Sequence, residues 1–153
     1  MFTMVYIFTI GMSIGLLIDM MMSVLNQFHI TQKLYLIRYA GCQFTGTSTS
    51  NRSFMAGFIY SVIASGLLGL LYAWCIEWLE LPLTMLTAIM LGSIKTVISG
   101  CIMPLLDRTN RCVQNNSIAR LGLFGTNHGL IMPIILTLGN IAYVFIIVEI
   151  LAH

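Results

Sequence analysis

The chain has 153 residues, 58% of them apolar and only 8% charged, with a formal net charge of +2 and a mean hydropathy of +0.94. A soluble domain carries about 25% charged residues, and disorder needs low hydrophobicity and high net charge. Both classes are excluded, and an all-α integral membrane protein is expected, with the lipid bilayer as its environment. A crossing takes about 20 apolar residues, so the length fits a four-transmembrane-helix bundle in a single domain. The small net charge excludes a nucleic-acid partner.

The first apolar run is 2–25, interrupted by Asp19. No basic segment precedes it and no small-residue cleavage site follows, so it reads as a retained span. Residues 26–53 form the longest polar connection. Its middle, Lys33 to Tyr39, alternates Leu34, Leu36 and Ile37 with Lys33 and Arg38, a pattern suited to lying at the headgroups. The second run, 54–76, closes with Trp74, Glu77 and Trp78, and Trp is the usual interfacial anchor. Pro82 introduces the third run, 83–106, so the second and third spans are expected to form an antiparallel hairpin. After the polar stretch 107–120 the fourth run is 121–151.

Lys33, Arg38, Arg52, Arg108, Arg111 and Arg120 all fall in the two long connections. The positive-inside rule places those connections in the cytoplasm, and both termini with the Glu77/Glu80 turn on the non-cytoplasmic side. The four cysteines, Cys42, Cys75, Cys101 and Cys112, contain no CxxC pair. They are expected to be free thiols packed among apolar groups.

Small residues recur at every fourth position of each run. The rows are Gly11, Gly15, Asp19 and Ser23; Gly57, Ser61, Ser65, Gly69 and Ala73; Gly92, Thr96, Gly100 and Pro104; and Gly125, Gly129, Pro133 and Thr137. In lipid, helices associate through close backbone approach and interhelical hydrogen bonds, which small residues permit. The rows therefore predict tight helix packing, within the chain or against a partner subunit.

A charge near the bilayer centre costs at least ~2.5–3.5 kcal/mol and usually faces the bundle. At helical rise, Asp19 lies ~9 Å, His128 ~10 Å and Lys95 ~16 Å from the cytoplasmic ends of their spans. An intramembrane cluster of Asp19, Lys95 and His128, with Asn127 beside it, is the candidate site. It reads either as an ion pair fixing helix register or as a proton or solute relay. Asn140, mid-span, is expected to hydrogen-bond across helices.

No catalytic residue, metal site or cofactor is assigned. A bis-His haem would need two His at similar depth, but His29 and His153 lie at opposite ends. Met20-Met21-Met22 reads as packing. Leu106-Asp107-Arg108 resembles part of the signal peptidase II signature. That family's second catalytic Asp would fall near Phe124 to His128, where there is no carboxylate, so aspartic protease activity is excluded.

Four features together follow one order: Gly15/Asp19, Gly57 to Tyr72-Ala73, Gly92 to Met103-Pro104, and Asn127-His128-Gly129. In order and spacing they resemble the YagU-like small bacterial inner-membrane proteins, although the acidic residue preceding the fourth-span His is missing. The resemblance implies four spans in a bacterial inner membrane and no particular activity. Two functions are expected: a non-catalytic accessory subunit of a larger membrane complex, held to other membrane-protein subunits by its small-residue faces, or a small oligomeric transporter using Asp19, Lys95 and His128.

Overall fold

The computed structural model describes residues 4–27 and 36–152. Phe2, His29, Lys33, Leu34, Tyr35, His153 and the side chain of Ser23 lie outside that description. Six α-helices follow in chain order: α1 (Met4–Gln27), α2 (Leu36–Thr45), α3 (Asn51–Trp78), α4 (Met85–Thr109), α5 (Arg111–Gln114) and α6 (Ile131–Ala152). A 3₁₀ segment, Leu123–His128, precedes α6. Four of these helices, α1, α3, α4 and α6, are long and apolar enough to cross a membrane. Most of their outward side chains are large and apolar, including Leu17, Ile63, Ile94 and Leu138.

Local sequence explains the helix starts. Ser50 caps α3 by accepting a hydrogen bond from the Ser53 amide, and Thr84 caps α4 by accepting one from the Thr87 amide, each satisfying an amide that the first helical turn leaves open. Pro133 lies in the first turn of α6, where its missing N–H is harmless.

The long helices pair as α1 with α3 and α4 with α6, and α6 also touches α1 and α3. The second and third spans, α3 and α4, are joined by the short connection 79–84, but each packs mainly on other helices. Beyond the turn that joins them, α3 and α4 diverge, because their close-packing faces point to α1 and α6 instead. The main core gathers Ile14, Tyr72, Ile76, Ala88, Tyr143, Val144, Ile147 and Val148 from all four long helices.

The fourth span begins at Ile131 rather than Leu121. Gly122, Phe124, Gly125 and Gly129 have φ of +72°, +54°, +73° and +107°, a region open to glycine and strained for other residues. Four such residues within eight cannot continue a helix. Gly125 and Gly129 are therefore turn residues, not members of a helix face. The chain loops back over the end of α4, where the Phe124 ring packs directly on Gly100.

The cysteines also differ from expectation. Cys42 of α2 and Cys112 of α5 are disulfide-bonded, with Cα atoms 6.0 Å apart, and both are fully buried. Seventy positions separate them in the chain, so no local motif announces the pair. Cys75 and Cys101 are free.

Candidate functional site

The site is built where α1, α3 and α6 meet. Along α1 and α3, running antiparallel, Gly11 abuts Ser65, Gly66 and Gly69, and Gly15 abuts Ser65. One turn further, the Ser61 hydroxyl donates to Asp19 Oδ2 at 2.5 Å. Two small-residue rows thus face each other, and Asp19 extends its row with a carboxylate. The closeness also admits a third helix. The Tyr143 hydroxyl of α6 donates to the Ser65 carbonyl, and a Cβ at Gly11 or Gly69 would lie only 3.0 Å or 3.3 Å from that hydroxyl. Tyr143 is nearly fully buried there.

Lys95 approaches Tyr143 from α4, with Nζ 4.6 Å from the ring centroid. That is cation–π geometry, which holds an ammonium without a carboxylate partner. Beside it, Asn140 Nδ2 donates to Thr96 Oγ1 at 3.0 Å, the cross-helix bond expected of a mid-span Asn. Thr96 in turn donates to the Gly92 carbonyl at 3.0 Å.

Asp19, Ser65, Lys95, Asn140 and Tyr143 line one cavity of about 170 Å³. Lys95 lies ~15 Å along α4 from its first residue and ~21 Å from its last. The cavity therefore sits at mid-bundle. It extends along α6 through Gly139, Leu136 and Ile135 toward Leu36 at the start of α2. The result is a recess whose largely apolar wall carries a carboxylate and an ammonium that take separate partners, Ser61 and Tyr143.

His128 and Asn127 are not brought to this recess. Both lie in the 3₁₀ segment, where His128 is buried and Asn127 exposed. The physical reason is the helix break at Gly122–Gly129, which removes them from the span face that the depth estimate assumed. The other rows have separate uses. Gly57 packs on Ile37 and Gly41 of α2, and Gly92 packs on Ile141 of α6.

A second polar assembly lies at the loop end. Asp107, buried in the last turn of α4, accepts from the Tyr39 hydroxyl (2.8 Å), the Leu121 amide (2.9 Å) and the Gly122 amide (2.9 Å). Asn110 donates to the Tyr39 carbonyl at 2.9 Å and accepts from the Cys112 amide at 3.0 Å. Burial, with the Asp107 carboxylate second, pushes the Tyr39 hydroxyl well above its ordinary pKa. Every oxygen of Asp107 is engaged, which makes this a structural clamp that holds α2, α4 and the 3₁₀ segment together.

Among the described residues, no group of three His, Cys, Asp or Glu side chains is placed to hold a metal. No protein family, curated protein or solved structure matches the chain.

Proposed function

We propose that this is a small multi-pass membrane protein that passes protons or a small polar solute through the recess between Asp19 and Lys95. The observation that carries this reading is the placement of both charges on one mid-bundle cavity without a direct bond between them. Ionisable residues at membrane depth are retained where they serve a pathway or a partner. Here each charge is held by a single weakly neutralising neighbour, so an entering polar group meets both. Ser61 and Asn140 supply further hydrogen bonds along the wall.

The small-residue rows support this reading over that of an accessory subunit. Gly11, Gly15, Ser61, Ser65 and Gly69 are used between α1 and α3, and Gly92, Thr96 and Gly100 between α4 and its neighbours. They are taken up within the chain rather than left for a partner. The proposal includes the orientation with the cationic end in the cytoplasm, and the bacterial inner membrane as the location. Five of the loop cations, from Arg38 to Arg120, lie in the segments at the end toward which the recess extends, which supports a cytoplasmic mouth.

The test is flux in reconstituted vesicles under an imposed pH gradient, read by an internal pH dye. Asp19→Asn and Lys95→Met should each lower flux at least about tenfold relative to wild type, as expected for loss of a site that contributes more than 1.4 kcal/mol. Leu138→Ala, at an outward-facing side chain that does not line the recess, should leave it unchanged. Wild-type flux equal to that of protein-free vesicles, or flux unchanged in both charge variants, overturns the proposal.

A further inference from the structure

A second cavity lies at the end remote from the loops. It has a volume of about 1100 Å³, as large as the largest ordinary small-molecule pockets. The first turn of α1, the second half of α3, the turn before α4 and the end of α6 bound it. Its walls are apolar, with Leu67, Leu70, Leu71 and Leu151 among them. From Leu67 to Glu77 it follows α3 for ~15 Å. Trp74, Glu77 and Glu80 stand at the far end, and among the described residues no Lys, Arg or His lines it. Trp74 is stacked on Trp78, with ring centroids 5.7 Å apart and planes 8° from parallel.

We propose that this groove binds an amphiphile with a cationic amine head and a single apolar tail. The tail lies along the leucines of α3, and the head sits among Glu77, Glu80 and the Trp74 ring. Charge complementarity selects the occupant. Two carboxylates, with no cation among the described lining residues, repel an anionic head, and an indole face attracts an ammonium. The apolar length behind them excludes a small hydrophilic cation. This site is separate from the Asp19/Lys95 recess, because the two share no lining residue.

Of the chain's two tryptophans, Trp74 lines this groove and Trp78 stacks on Trp74, so intrinsic fluorescence reports on it. The probe is a twelve-carbon amine carrying bromine on its tail, compared with the sulfate of the same tail, in phosphatidylcholine nanodiscs that hold the full chain. The amine should quench saturably, be displaced by unlabelled dodecylamine, and act at a concentration at least about tenfold below the sulfate, a 1.4 kcal/mol preference. E77Q/E80Q, which changes two exposed side chains and leaves the core intact, should bring the two probes to within about twofold. Leu70→Phe, which narrows the groove, should weaken the amine without reversing its preference. Non-saturable quenching, equal action of amine and sulfate on wild type, or an undiminished preference in E77Q/E80Q overturns the proposal.

Discussion

The Tyr39 hydroxyl donates to Asp107 Oδ1 at 2.8 Å across 68 positions of sequence, and the same carboxylate receives the Leu121 and Gly122 amides. One buried side chain thereby ties the short helix α2 to the end of α4 and to the segment that replaces the start of the fourth span. Asp107→Asn substitutes an NH₂ for one acceptor facing these donors. A hydrogen bond to a charged acceptor contributes about 1.5–3 kcal/mol, so the variant should lose about 2 kcal/mol or more of stability. Thermal unfolding in detergent, followed by tryptophan fluorescence, measures it.

The same pair predicts an alkaline effect. The folded Tyr39 hydroxyl titrates above its ordinary value near 10 because burial and then Asp107 disfavour the phenolate. Below pH 10 both folded and unfolded states keep the proton and the contribution is complete. Above it the unfolded state ionises first, so stability falls as pH rises. Between pH 9 and 11 the midpoint of wild type should drop more steeply than that of Tyr39→Phe, whose own loss at neutral pH is about 1.5–3 kcal/mol.

The Cys42–Cys112 bridge makes a chemical prediction. Denatured but unreduced protein should react with maleimide at two thiols, Cys75 and Cys101, and at four after reduction. Cys42→Ser with Cys112→Ser should lower stability by about 4 kcal/mol, the size expected from closing a loop of this length. The orientation proposed above places the bridge on a reducing side, where its full burial limits attack by external thiolates. Cell samples quenched with maleimide before lysis should show the same two-thiol count. A count of four in those samples means that the pair is reduced in the cell.

Glycine contacts separate two kinds of position. A Cβ at Gly41 would collide with the Ser53 carbonyl oxygen, and one at Gly57 with the Ile37 carbonyl oxygen. Both obstacles are backbone and cannot rotate away, so α2 and α3 would have to part. Gly41→Ala and Gly57→Ala should each destabilise by about 1–3 kcal/mol. Gly139 has nothing within 4 Å, and Gly139→Ala should be neutral or stabilising by up to about 1 kcal/mol, because alanine restricts the unfolded chain. The midpoints of the three variants, measured side by side, check the contrast.

Particular residues show how much of this was legible beforehand. The long helices were, since a run such as Phe54 to Ile76 has few alternatives to a helix. The Gly11/Gly15 row marked a close-packing face, and Asp19 in that row marked a charge turned toward a neighbour. Asn140 announced a cross-helix bond. Tyr143, which lines the recess and supports Lys95, gave no signal, being one aromatic in an apolar run. His128 was placed by counting along a helix that the four positive-φ residues prevent. Pro133 was the clue to the true start, since proline belongs in a first turn.

Composition and the lengths of the apolar runs by themselves pointed to the helical architecture: 8% charge goes with long apolar runs, and four of them form helices long and apolar enough to cross a membrane, where the backbone must satisfy its own hydrogen bonds. Only the tertiary structure decided which helices pair, that Lys95 rests on Tyr143, that Asp107 clamps the loop layer, and that Cys42 meets Cys112. Each of these joins groups far apart in sequence, and such pairings depend on which faces interlock at close range, which no local periodicity encodes.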